Sequence, residues 1–335
     1  MPNIIFSEGS GLNDSIYGNS QAPIKTIITQ NAEAFENQSM LKEIFDMDTS
    51  TNWAEKMTTE TSLGDFVDVG ENGAYPITGY QEGYSKVITM NTWKSRFEVT
   101  QEMIEDAKMG KIKSRANSFT TSYLRTREKL GAAMLGGATA ATVTFGGKKY
   151  DTTGADKKPL FANDHPSVTK GTAAQSNAFS YTSSQSMTDI IDAAQEKMQD
   201  FRDDDGNLLT VSPNTIIIPN VAVMKRKIFA AIGSELDPNT NNNAYNFQLG
   251  LWNVLVWPYL PKTVGGKNYF IMMDKQFNSD YECAKWFDRV KLTVKSSIDE
   301  NTDANIWSGR ARFGAGFGNW RSMAIVGEGV TGTAL

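Results

Sequence analysis

RFEVTQEMIEDAKMGKIKSRANSFTTSYLRTREKLGAAMLGG, residues 96–137, carries the two signals that decide the architecture. Arg96 to Val99 reads as a short strand. Thr100 follows as a helix N-cap, with Glu102, Glu105 and Asp106 near the positive end of the helix dipole. A strand therefore hands over to a short helix. After Gly110 a longer helical period begins, in which Ile112, Ala116, Phe119, Tyr123, Leu130 and Met134 fall at helical steps, broken only around Thr126 and Arg127. Gly136 and Gly137 end it. Roughly 25 residues at about 1.5 Å each make a rod of about 37 Å, so something long must lie along it.

Charge is segregated around this rod. From Lys108 to Lys129 there are seven bases (Lys108, Lys111, Lys113, Arg115, Arg125, Arg127, Lys129) against one acid, Glu128. From Glu33 to Glu82 there are eleven acids against Lys42 and Lys56. Two such segments attract one another, within a chain or between copies, unless both are solvated faces.

The whole chain has 335 residues, enough for two domains or one elaborated one, and a net charge of −5, where a dedicated nucleic-acid binder would be strongly basic. Cys283 has no second cysteine to pair with, which fits a reducing compartment or a particle that gains its stability some other way. The first residues lack the basic start and apolar middle of a secretory signal, and the best apolar run, 251–260, is half the length a membrane span needs. These features imply a soluble protein made in a cytoplasm. The many Gly, Asn, Ser and Thr residues imply loops and turns rather than a compact enzyme core.

Residues 1 to about 30, interrupted by Gly9, Gly11, Gly18 and Pro23, are expected to be extended or disordered alone. An amphipathic helix is expected over Ala32–Met47, with Phe35, Met40, Leu41, Ile44 and Phe45 on one side, as an arm that needs a partner surface. From about Thr61 to Phe97, Phe66–Val69, Tyr75–Tyr80 and Val87–Trp93 read as long strands joined by glycine-rich bends. Such a ribbon is too thinly apolar to stand alone in water. Residues 138–178 read as loops. A helix is expected over Ser186–Phe201, closed by Asp205-Gly206, then a strand at 214–220 whose Asn220 caps a helix to Ile232. Strands at 251–256 and 269–273 complete a mixed region from 146 to 280, and the strands after Asp288 return toward the first half of the chain.

Catalytic and metal chemistry find little here. His165 is the one histidine and lies in a loop signal, Asn163-Asp164-His165-Pro166, with no Gly-x-Ser-x-Gly elbow in the chain. One His and one Cys cannot make a structural zinc site. Asp203-Asp204-Asp205-Gly206 is not an EF-hand loop, because aligning Gly206 puts Phe201 first and Ser212 twelfth, and it reads as a helix-terminating turn. Gly314, Gly316 and Gly318 lack the spacing of a dinucleotide fingerprint and read as places where a strand bends or approaches another backbone closely.

Taken in order, FEVTQEMIEDA (97–107), PLFANDHP (159–166), SPNTIIIPN (212–220), WPYL (257–260) before YFIMMD (269–274), and SGRARFGAGFGNWR (308–321) resemble the major capsid proteins of tailed bacteriophages with the Hong Kong 97 fold. Within that fold they are most similar to the Mu-like major head subunit family, over roughly residues 60–330. The resemblance implies an α+β chain with an N-terminal arm (1–61), an extended loop (62–95), a peripheral domain with a long spine helix (96–145 and 281–335) and an inserted axial domain (146–280). It implies a virion capsid subunit, made and assembled in the bacterial host cytoplasm, that joins copies of itself in hexamers and pentamers around double-stranded DNA. Scaffold, portal and decoration proteins are further implied partners, with weak, non-specific DNA contact and no membrane, cofactor, metal or catalytic site. An encapsulin-like nanocompartment shares the fold and is the alternative. No local motif assigns a cross-linking role to Lys86 or Lys94. The candidate inter-subunit or interior contacts are Arg96, Lys111, Lys113, Arg115, Arg125, Arg127, Arg310, Arg312 and Arg321, with the acidic 33–82 segment of a neighbour as their counterpart.

Overall fold

The structure, a computed structural model, describes residues 22–36, 39–60, 66, 68–71, 73–75, 77, 82–106, 109–169, 173–233 and 245–335. What the sequence suggests for residues 1–21, for parts of the ribbon (61–65, 67, 72, 76 and 78–81) and for Lys108 lies outside them. In chain order the elements are α1 (Ala22–Glu36), α2 (Leu41–Ile44), β1 (Asp46–Thr49), β2 (Ala54–Glu60), β3 (Glu82–Thr89), β4 (Asn91–Val99), α3 (Gln101–Glu105) and α4 (Met109–Gly136). They continue with β5 (Thr142–Phe145), β6 (Lys148–Asp151), β7 (Ala178–Ser180), α5 (Met187–Gln199), β8 (Thr215–Pro219), α6 (Ala222–Ile232), β9 (Asn253–Trp257) and β10 (Tyr269–Met273). The last are α7 (Lys275–Asp280), β11 (Ala284–Ile298), β12 (Asn305–Phe317), β13 (Met323–Gly327) and β14 (Thr333–Ala334).

The rod expected after Gly110 is one unbroken helix of 28 residues, roughly 42 Å at about 1.5 Å per residue. What lies along it is a four-stranded sheet in the order β1-β11-β12-β4, dominated by the long antiparallel β11–β12 pair. Aromatic rings fill the space between. Phe97 of β4 stacks on Trp307 of β12 and tilts against Phe119 of α4, both with centroids 5.2 Å apart, while Phe313 stacks between Trp93 and Trp286. The break in the apolar period at residue 127 has a partner in the sheet. Arg127 is buried, its Nη2 lies 2.7 Å from Asp288 Oδ2, and its guanidinium sits over the rings of Trp286, Phe313 and Tyr123.

The N-terminal segment departs from expectation. Residues 22–36 are helical, because Ile24, Ile28 and Ala32 recur at four-residue steps and bury, the first two in one cluster with Ile112, Ala116 and Trp307. Pro23 sits in the first turn, where its missing N–H removes no intrahelical bond. The helix expected over 32–47 is split instead: α2 is one turn, and Asp46–Thr49 leaves it to pair in parallel with Lys285–Asp288 of β11. Tertiary pairing outweighs local periodicity there, with Leu41 and Phe45 held in the main core. That core supplies in the same chain the surface the arm was expected to need.

The second sheet has the order β14-β7-β13-β10-β8-β9. β8, β10 and β13 are buried at every residue, as strands covered on both faces must be, and α5 and α6 bury their apolar stripes in the same core. Ser186 caps α5 by accepting from the Asp189 amide at 3.1 Å. Asn220 does not cap α6: Val221 holds that position, and Asn220 accepts from Lys225 Nζ at 2.8 Å. Of the strands expected to return to the first half of the chain, β11 and β12 do so, whereas β13 and β14 pair with β10 and β7. Burial decides this, since the Met323–Gly327 strand has no polar face to leave in water.

Replacing Arg127 with Met leaves Asp288 as a buried charge without its cation and is expected to cost on the order of 3 kcal/mol, read as a lowered denaturant midpoint. The double variant Arg127→Met/Asp288→Leu recovers part of that loss; an unshifted midpoint in the single variant contradicts the role given to the pair. Burial pushes the Cys283 thiol up to about 12, so it is expected to stay unreactive toward a disulfide reagent at pH 8 until the chain is unfolded.

Candidate functional site

A shell subunit, a binding module and an enzyme differ in what they leave unfinished at the surface, and here the unfinished part is the ribbon. Its strands are β2 and β3, paired antiparallel from Ala54↔Thr89 outward. At its root Met57, Ile88, Met90 and Phe287 form a small buried cluster. The root crosses β12 at backbone contact, which the glycines there permit: a Cβ on Gly314 would lie 2.5 Å from the Thr89 carbonyl oxygen, and one on Gly316 2.7 Å from Ile88 Cδ1. Lys86 is nearly buried and donates to Asp151 and, at 2.6 Å, to Thr153 Oγ1; Tyr84 donates to the Ser167 carbonyl at 3.2 Å. Lys86 is therefore committed within the chain.

Beyond Glu60 and before Glu82 every described residue is exposed, and none is in a strand, so the strands expected at Phe66–Val69 and Tyr75–Tyr80 do not form at the described positions. Phe66, Tyr75 and Ile77 stand almost fully in solvent beside the acids Asp68 and Glu71. Isolated surface hydrophobics are ordinary; three large ones within twelve residues on a projecting tip are not.

The nine candidate bases fall into two groups. Arg127 and Arg321 are not available to a neighbour: Arg127 is used by Asp288, and Arg321 is buried over Trp320, with Nε 2.9 Å from the Arg202 carbonyl and Nη2 3.2 Å from Asp204 Oδ1. The expected cluster of Arg310, Arg312 and Arg321 is thereby divided. Lys111, Lys113 and Arg115 lie exposed on the first turns of α4, where Arg115 donates to the Glu98 carbonyl at 2.5 Å. Arg125 is exposed at the rim of a cavity of about 460 Å³ between the arm, α4 and Trp257–Tyr259. Arg96, Arg310 and Arg312 share the outer face of the four-stranded sheet, with Arg96 3.2 Å from Glu98.

Residues 83–326 match the model of a family described as phage capsid protein. The chain belongs to that family. As a member of it, the chain is a major capsid shell protein. Among solved structures its fold is similar to the capsid of an empty GTA particle, with 12% identity, 86% of this chain and 89% of the other covered, and a TM-score of 0.53. The capsid of Ralstonia phage GP4 matches with 11% identity, coverage of 84% and 86%, and a TM-score of 0.53; a chain of Mycobacterium phage Patience gives 13%, 91%, 86% and 0.50. At these identities the likeness is one of fold, and it is consistent with a Hong Kong 97-like architecture. No curated protein matches the sequence.

The remaining chemical candidates of the capsid protein are structural. His165 is buried, its Nδ1 2.6 Å from Asp156 Oδ2 and its Nε2 3.1 Å from Asn177 Oδ1, and its ring stacks on Trp320 at 4.2 Å. The Asp203–Gly206 turn is not the end of α5, which stops at Gln199; it is a tight turn closed by an Arg202–Leu208 bridge, with Asp203 Oδ1 accepting from the Asp205 and Asn207 amides. Among the described residues no group of three or more His, Cys, Asp or Glu is placed to hold a metal, and no helix is long and apolar enough to cross a membrane.

At the ribbon root, burial raises the affinity of Asp151 for its proton, but the hydrogen bonds from Lys86 and Thr153 outweigh it and hold the carboxyl below its ordinary range. A depressed carboxylate contributes stability above its unfolded value, near 4, and loses it as pH falls through the folded one. Hydrogen-exchange protection of residues 82–89 is therefore expected to drop as the medium is acidified below about pH 4, and Asp151→Asn to show the weaker protection already at neutral pH. Equal protection in parent and variant at neutral pH contradicts the anchor.

Proposed function

We propose that this capsid protein is the repeating subunit of an icosahedral bacteriophage head, closing with copies of itself into hexamers and pentamers around packaged double-stranded DNA, and that it is a head subunit of the Mu-like kind. The observation that carries this is the ribbon. A chain with a complete aromatic core nevertheless projects a two-stranded ribbon whose described tip residues are all exposed, and such a ribbon gains stability only against another surface. A closed shell supplies that surface from further copies, and closure multiplies contacts that are individually modest.

In this reading residues 1–61 are the arm and 62–95 the extended loop, with the paired strand β2 (Ala54–Glu60) leading into that loop. The peripheral domain comprises the spine and the four-stranded sheet, and the axial domain is 146–280 with the β13–β14 segment added, following its strand pairing. The role is structural rather than catalytic. The subunit is made and assembled in the bacterial cytoplasm and ends in the virion, with scaffold, portal and decoration proteins as further partners. A net charge of −5 suits weak, non-specific contact with the genome, since many neutralised phosphates would hold the DNA against packing and release.

Electron microscopy of the purified full chain tests this. Capsomers or closed shells are the expected outcome, whereas a chain that stays a single molecule at high concentration overturns the reading. Shells recovered from cells with an enzyme cargo and no genome would select the nanocompartment instead.

A further inference from the structure

The cavity of about 460 Å³ beside Arg125 has walls from four parts of the chain: the arm at Met40 and Met47, α4 at Leu124 and Arg125, β11 at Lys291, and the turn after β9 at Trp257–Tyr259. Its size is that of a small-molecule site. Much of its lining is apolar. Met40, Met47 and Leu124 are half-buried there, and Trp257 is fully buried, its indole N–H given to Glu128 Oε2 at 2.8 Å. Thioethers adapt to what covers them, so two methionines beside a leucine accept an apolar body of no fixed outline. The charged lining sorts into groups that are used and groups that are not. Arg127 and Asp288 hold each other, and Glu128 accepts from Ser39 as well as from Trp257. Apart from these, the lining carries Lys42, Arg125 and Lys291 against Asp48, which accepts from the Thr49 amide at 2.7 Å. Arg125 and Lys291 are exposed, and no hydrogen bond or ion pair joins either to another described residue.

We propose that this cavity binds one anionic amphiphile, a carboxylate joined to an apolar chain of the fatty-acid type, with the carboxylate against Arg125 and Lys291 and the chain over Met40, Met47 and Leu124. The inference stands apart from the shell reading. Charge complementarity selects the head, because two cations without partners gain charge-assisted bonds that no described neighbour in the chain supplies. The apolar lining selects the body, because covering it removes thioether and aliphatic surface from water. A bare phosphate would use the cations and leave that surface wet; an uncharged hydrocarbon would do the reverse. The walls belong to the arm, the spine and the turn after β9, so a bound amphiphile ties the arm down at a second place besides its β1–β11 pairing.

The experiment uses the full chain, kept dilute, with three probes: decanoate, decanol (the body without the charge) and butyrate (the head with little body). Binding is followed by displacement of anilinonaphthalene sulfonate, a fluorescent anionic amphiphile, and by hydrogen exchange. Decanoate is expected to bind about tenfold tighter than either of the others, a comparison on the parent chain that needs no variant. Arg125→Ala/Lys291→Ala, at two exposed positions, is expected to weaken decanoate about tenfold and leave decanol unchanged. Bound decanoate is expected to raise the protection of residues 41–49, since a ligand that binds only the folded arm holds it there. If decanoate and decanol bind alike, if the double variant binds decanoate as the parent does, or if protection rises only elsewhere, the site is wrong. A dye that binds the dilute chain and is expelled on self-association, with no amphiphile added, assigns the cavity to a second copy and overturns the proposal equally.

Discussion

The contact on which the rest of the structure depends is the buried pair between Arg127 and Asp288. A charge in a dry interior costs several kcal/mol unless it is met by its opposite and its remaining lone pairs are filled. Asp288 meets both conditions: Oδ2 takes Arg127, Oδ1 takes the Trp286 indole N–H at 3.0 Å, and its backbone carbonyl takes the Ser50 amide at 3.3 Å. It is also the last residue of β11 to pair with β1, and the β11–β12 register shifts immediately after it. One residue therefore meets the spine helix through its carboxylate and the end of the arm strand through its backbone, at the place where the register of the long hairpin shifts. Two hydrophobic surfaces sliding past each other could satisfy burial in several registers; an ion pair with aromatic walls satisfies it in one.

Fixing the helix on one face of a thin sheet determines what the other face can be. With Trp93, Phe97 and Phe313 turned inward, strand alternation sends Lys94, Arg96, Arg310 and Arg312 outward. The glycines of β12 then let the ribbon cross at backbone distance, so that its root is held by the same strand that presents the basic face. Anchor and surface are thus two consequences of one strand.

The spine was legible because its period is long and its terminator is a glycine pair, and the glycine track was legible because no nucleotide motif fits it. The arm was not. Ile24, Ile28 and Ala32 carried a four-residue period, but Pro23 and the glycines before it masked a helix whose stability comes from α4. The β5–β6 hairpin carries a usable signal in the sequence: Gly146 and Gly147 take positive φ between two short alternating runs, the pattern of a two-residue hairpin turn. Among the candidate bases, sequence could count charges but not separate Arg127 and Arg321, which are consumed inside the chain, from Arg310, which is exposed. That distinction depends on carboxylates 161 and 117 positions away. A pattern read along the chain has no access to such pairs.

Folding and assembly make opposite demands on a shell subunit, and the distribution of charge separates them. The charge pair that holds the fold is buried and satisfied within one molecule. The bases on the outer face of the sheet lie outside the core, and a like-charged cross-strand pair such as Lys94 and Arg310 costs about 0.2–1 kcal/mol, too little to unfold the sheet. A contact of that size also breaks readily when a copy docks in the wrong place. Strength then comes from number, because a subunit that closes a ring is held at several contacts at once and leaves only if all open together. A single tight contact would trap errors, whereas many weak ones let a misplaced copy leave before a shell closes.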